Sequence, residues 1–159
     1  MMQDEITIRR ANSEDLPAIV QLWKEMADFH ADLDRYFALA PSAEENIASF
    51  LQQRMSDDSS EIWVAEQQGR VIGYSLAVIA ERPLVFLERR CGKIFDLAVT
   101  SDYRRRGVGR ALVEHAREWF HSQGVDSIEL NVATSNDVGR AFWRSLGFAP
   151  TLETRYQRF

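Results

Sequence analysis

One stretch constrains this chain more than any other. The apolar run IFDLAVT, residues 94–100, passes through SDYRRRG directly into VGRALVEHAREWF, whose apolar residues return at helical spacing. A buried strand turning through a short arginine- and glycine-rich loop into an amphipathic helix is a βα unit of an α/β protein. The start of such a helix offers N–H donors that lack intrahelical partners, together with the positive end of the helix dipole. Gly107 and Gly109 let backbone approach a ligand with no Cβ in the way. Arg104, Arg105, Arg106 and Arg110 surround that point with guanidinium groups suited to phosphate oxygens. The stretch therefore reads as a cradle for an anion. It lacks the lysine and hydroxyl of a P-loop, and it does not follow the first strand as a dinucleotide fingerprint does.

That local charge stands on an acidic chain. With 24 acidic against 19 basic residues the formal net charge is −5, which argues against general nucleic-acid binding and mildly favours a cationic substrate. The length, 159 residues, suits a single domain over 1–159 with one core. No apolar run reaches the roughly 20 residues of a membrane span. The start MMQDEITIRR carries acidic residues where a leader would carry basic ones, so the expected location is cytoplasmic, with no membrane partner. Cys91 is the one cysteine and reads as a structural thiol. No histidine–carboxylate spacing supports a metal: His30 with Asp28, Asp32 and Asp34 lacks a second histidine or a defined loop.

Along the chain, EITIRRA alternates as a strand, and NSEDLPAIVQLWKEMADFH is a helix capped by Asn12 or Ser13. AEENIASFLQQRM is a second helix. EIWVAEQQGRVIGYSLAVIA is a hairpin turning at QQGR. LVFLERRCGKIFDLAVT gives an edge-like portion and then a central strand. A helix follows with Val108, Leu112, His115, Ala116 and Trp119 on one face, stopped at Gly124. DSIELNVA is a strand, NDVGRAFWRSLGF a short helix begun by Asn136, and APTLETRYQRF a final strand. The order β-α-α-β-β-β-α-β-α-β predicts an α/β fold, a mixed sheet with helices on both faces.

IFDLAVTSDYRRRGVGRAL, LNVATSN and AFWRSLGF taken together resemble the GNAT family of N-acetyltransferases, strongly over the C-terminal half and by element order over the first. The family signature, Arg/Gln-x-x-Gly-x-Gly/Ala, stands here as Arg104, Arg105, Arg106, Gly107, Val108 and Gly109. The resemblance implies an acyl-CoA N-acyltransferase fold of about six to seven strands, with splayed central parallel strands. It implies acetyl-CoA as co-substrate, without a metal: the pyrophosphate on backbone amides from about Arg105 to Arg110, and the pantetheine arm along Leu97, Ala98 and Val99. Asn136 matches the asparagine that contacts that arm, and Leu146, Gly147 and Phe148 match the close of the last helix. A homodimer through the late strands is an arrangement the resemblance leaves open.

The chemistry implied is transfer of an acetyl group to a primary amine of a small molecule or peptide, by direct attack on the thioester. An alkylamine with a pKa near 10.4 must lose a proton first, so a base or water relay is needed. The resemblance makes the Leu97 N–H the oxyanion donor. Asp96, which breaks an apolar strand beside it, is the candidate base; the competing reading pairs it with Arg89, Arg90 or Arg104. Lys93 occupies the position of the glutamate used by histone-type members. Trp143 stands where many members carry a tyrosine acid, and an indole N–H gives up no proton under these conditions. Either Trp143 only packs against the coenzyme and water protonates the thiol, or another hydroxyl substitutes, Tyr103 and Tyr156 being candidates without positional support. That departure sustains the alternative of a non-catalytic acyl-CoA-binding module. His115 reads as a core-edge histidine. The aromatics Trp23, Phe29, Tyr36, Phe37 and Phe50 read as core or pocket wall, and Glu129 and Asn131 as a possible border of the acceptor site.

Overall fold

A computed structural model describes residues 5–159; residues 1–4, part of the start weighed above for a leader, lie outside it. The elements are β1 (Thr7–Arg10), α1 (Leu16–Leu33), α2 (Ala43–Met55), β2 (Ser60–Gln67), β3 (Arg70–Glu81), β4 (Arg90–Val99), α3 (Val108–Ser122), β5 (Ile128–Glu129) and α4 (Asp137–Ser145). The sheet runs β1-β2-β3-β4-β5, antiparallel except for the parallel β4–β5 pair. It is the expected mixed α/β sheet.

Local chemistry sets the element ends. Asn12 Oδ1 accepts from Glu14 N–H at 2.9 Å and Asp15 accepts from Asn12 N–H at 2.8 Å, a capping box, and Pro17 follows in the first turn of α1. Asp15 is also gripped by both terminal nitrogens of Arg9, which reaches Glu66 as well, tying β1, β2 and the start of α1 together. Across the sheet, Ile62, Val64, Tyr74, Leu76 and Ala98 pack under α1 and α2 through Ile19, Leu22 and Leu51. On the opposite face Ala77 and Ile94 pack against Val113, Ala116, Trp119 and Phe120 of α3, with Leu97, Phe142 and Trp143 at the margin.

A one-residue bulge in β4 decides what the centre of the sheet presents. Leu76 pairs with Asp96 and Ala77 with Ile94, so Phe95 is the extra residue. Ile94 points to the α3 side, whereas Asp96 stands in the row of Leu76, Tyr74 and Ala98 on the α1–α2 side. Phe95, half exposed, lies 6.2 Å from the Phe50 ring of α2.

Three expected strand segments differ. LVFLER is no edge strand but the exposed tip of the β3–β4 hairpin, with Leu84 at 80% and Val85 at 85% exposure. DSIELNVA contributes only Ile128–Glu129 before leaving β4. APTLETRYQRF forms no strand, which leaves five strands among the described residues rather than six to seven. The last two have one cause. Because β5 stays on the ladder for two residues, β5 itself offers the C-terminal segment no extended edge to join.

Candidate functional site

The loop between β4 and α3 is built to leave its amides free. Arg105 has φ 61° and Gly107 φ 82°, so two residues of one short turn lie in the left-handed region. Gly107 is the N-cap of α3 and supplies no side-chain cap. The first helical bond is Ala111 N–H to Gly107 O, at 3.0 Å. The N–H groups from Arg105 to Arg110 have no acceptor among the described residues. Successive amides in a turn of this kind form a concavity for an anion, and the end of a fifteen-residue helix adds its dipole.

The surroundings hold that concavity in place. Val108 is buried beside Ala65, Ile72 and Leu112. A Cβ on Gly109 would stand 3.2 Å from the Phe142 ring and 3.9 Å from Leu97, so this glycine is where the loop closes on α4 and β4. Arg104, Arg105, Arg106 and Arg110 are exposed; Arg106 lies over the Tyr103 ring at 5.2 Å. The Arg104 Nε donates to Val99 O at 3.2 Å.

Beside the loop, β4 has an open edge. Thr100 N–H donates to Ile72 O of β3 at 2.8 Å. Counting back along the strand, the main-chain groups of Ala98 and Asp96 face β3, and those of Leu97 and Val99 face away from it. Before the bulge the parity is opposite: Gly92 N–H donates to Ser127 O at 2.8 Å, toward β5. Since β5 ends at Glu129, opposite Lys93, Leu97 and Val99 address a gap where a strand would otherwise lie. The structure thus brings the amides of Leu97 and Val99, the arginine loop and Gly109 to one continuous edge. An extended chain with an anionic end fits this edge and loop.

Asp96 sits on the far side of that edge, toward α1 and α2. Burial pushes its carboxyl up to about 6, opposed by the Tyr74 hydroxyl. Of the proposed arginine partners, Arg89 donates to Arg82 O, Arg90 to Gln123 O and Arg104 to Val99 O, and none pairs with Asp96. Tyr74 is a residue the sequence reading passed over, though its signal was present: a polar pair, Tyr74 and Ser75, inside the apolar run VIGYSLAVIA.

Other candidates fall elsewhere. Asn136 Oδ1 caps α4 by accepting from Gly139 N–H at 2.9 Å, leaving its Nδ2 as the free donor. Trp143 is half buried, with Phe142 and Phe148 edge-on to it at 4.9 and 5.3 Å. Tyr156 stacks on Tyr36 at 5.2 Å, over the α1–α2 connection. His115 Nδ1 donates to Ala111 O at 2.9 Å and the ring rests on Trp63; His30 Nδ1 donates to Met26 O at 2.8 Å. Glu129 pairs with Lys93 at 3.2 Å. Cys91 is buried, which pushes its thiol up, as an inert thiol requires.

The Acetyltransferase (GNAT) family profile matches residues 21–148. N-acetyltransferase family 8 member 7 of Mus musculus is 30% identical over 111 residues, covering 70% of this chain and 48% of that protein. A ribosomal protein bS18 alanine N-acetyltransferase of Salmonella typhimurium is 27% identical over 151 residues, 89% of this chain and 80% of its own length. This chain thus spans about half the length of the first of these relatives. A "predicted acetyltransferase" of Clostridium acetobutylicum, crystallised with acetyl-CoA, has a TM-score of 0.80 at 15% identity, covering 97% of this chain and 96% of that one.

Proposed function

Because the chain belongs to the GNAT acetyltransferase family, we propose that residues 1–159 act as one catalytic domain, an acetyl-CoA-dependent N-acetyltransferase acting on a primary amine of a small molecule or peptide. The observation that carries this reading is the run of unpartnered amides from Arg105 to Arg110 in line with the open edge of β4. Acetyl-CoA, when bound, supplies an acetyl group activated as a thioester.

The chain's own residues would do the rest. The amides of Arg105–Arg110 and the arginines around them hold a diphosphate. Leu97 and Val99 offer main-chain groups to the pantetheine arm, and Ala98 fixes the strand in the core between them. The Leu97 N–H would donate to an oxyanion, an interaction whose removal typically costs about 2.7–4 kcal/mol. Asp96, paired with no arginine and held at about 6 by burial, would accept the amine proton. Asn136 orients the arm through Nδ2, and Trp143 packs beside it.

Trp143 also supports a second reading, a non-catalytic acyl-CoA-binding module, since an indole among phenyl rings protonates no thiolate. Thermal-shift titration with acetyl-CoA combined with a thiol-release assay across an amine panel separates the two. Stabilisation with release of free thiol for at least one amine supports the enzyme. Stabilisation without release for any amine supports the module. A homodimer through the late strands belongs to the same proposal, because β5 is the sheet edge; sedimentation velocity checks it.

A further inference from the structure

Tyr74 occupies a position where phenylalanine would fill the same volume. Its side chain is 0% exposed, packed among Leu76, Val64 and Ala98. Its hydroxyl is buried and reaches no partner at hydrogen-bonding geometry among the described residues. A buried hydroxyl in that state costs about 1–3 kcal/mol. The register places it beside one group that repays the cost: Tyr74 is opposite Ala98 and Leu76 opposite Asp96, so Tyr74 and Asp96 are diagonal neighbours on one face of β3 and β4. That diagonal is within reach of an aromatic side chain. Without the bulge at Phe95, the alternation from Ile94 would send Asp96 to the α3 face, away from Tyr74.

We propose that Tyr74 is a positioning residue for Asp96: its hydroxyl donates to one carboxylate oxygen from the core side, leaving the second oxygen turned toward the acceptor amine. This rests on the reading of Asp96 as the base. Tyr74 is suited to donate, because burial and the nearby carboxylate hold its phenol well above the ordinary range, so it stays protonated. Among the described residues, Tyr74 is the one side chain that acts on the Asp96 carboxyl, and the cations of the neighbouring elements have other partners. On α1, Lys24 is taken by Asp28 and His30 by the Met26 carbonyl. On α2, Arg54 is taken by Asp57 and Ser60. On β4, Lys93 is taken by Glu129 of β5.

The test is carboxyl 13C NMR titration of Asp96 in the wild type and in Tyr74→Phe, assigned with Asp96→Asn. The expected result is a rise of the Asp96 midpoint by roughly one pH unit in Tyr74→Phe, since a donor to the charged form has been lost. The acid limb of kcat/KM with the best amine of the panel rises with it, while Tm falls at pH 8, where the carboxylate has lost its donor, and not at pH 4. Site-specific 3-fluorotyrosine at position 74, a stronger donor, moves the midpoint the other way. An unmoved midpoint in both variants overturns the proposal, whatever the activity of Asp96→Asn. If the midpoint moves while Asp96→Asn keeps full activity, the base reading fails, and with it the catalytic purpose of the pairing.

Discussion

At the scale of single residues, Asp96 is the costly one. A carboxyl held at about 6 in the folded chain titrates near 3.8 when unfolded, so the folded state binds the proton more tightly. Stability from this group is complete below about 4 and declines as pH rises toward 6, by roughly 2–3 kcal/mol in all. Asp96→Asn is therefore expected to raise Tm at pH 8 relative to the wild type, and to lose that advantage at pH 4; melting curves at the two pH values check it. The same variant should lose most of its kcat/KM, the trade expected of a residue kept for chemistry. Asp15 runs the opposite way. Its hydrogen bonds from Arg9 lower its carboxyl, so its contribution is present at neutral pH and is lost as pH falls below the ordinary carboxylate range. Asp15→Asn should lower Tm at pH 7 and converge on the wild type in acid. Asp96 was legible as a polar break in an apolar strand, but its face was not. Strict alternation puts it with Ile94, and only the bulge, a property of pairing with β3, turns it to the other side.

At the scale of elements, the β4–loop–α3 unit carries the candidate site, and it was the most legible part of the chain. Arginines and glycines at the start of a periodic helix specify where amides go unpaired, and the helix begins at Val108 with Gly107 left-handed. An alanine at Gly107 meets no neighbour, yet its φ of 82° remains unfavourable for an L side chain by about 1–2 kcal/mol. Gly107→Ala should accordingly lower Tm by a few degrees and weaken acetyl-CoA binding. Arg105→Gly, relieving φ 61°, should raise Tm while also weakening binding; paired melting and titration calorimetry distinguish strain from lost charge. The β2–β3 hairpin, α1, α2 and α4 were equally readable, from a QQGR turn, a capping Asn12 or Ser13 and helical periodicity. The two C-terminal strands were not. DSIELNVA alternates as a strand does and APTLETRYQRF reads as one, but a strand exists only where a neighbour offers a ladder, and β5 leaves β4 after two pairs. That departure makes the gap beside Leu97, so the element that sequence reading overextended is the one whose brevity opens the site.

For the whole molecule, the decisive contrast is between an acidic surface and one basic turn. A net charge of −5 repels polyanions at large, whereas the exposed arginines 104–106 and 110 gather around amides that have room for one compact anion. Diphosphate and pantetheine should therefore contribute unequally. Coenzyme A at about 100 times its Kd is expected to stabilise the chain by about 2.7 kcal/mol, a Tm rise of about 5–10 °C for a chain of this size. Pantetheine at the same concentration, which can line the β4 edge but brings no diphosphate, should shift Tm by little. Raising salt should shrink the coenzyme A shift by screening the exposed arginines without abolishing it, because the amide cradle is part of the backbone. A DNA duplex should give no shift even at low salt. Equal shifts from coenzyme A and pantetheine would move the binding energy from the arginine loop to the strand edge, and a large salt-sensitive shift with DNA would make the arginines a nucleic-acid patch after all.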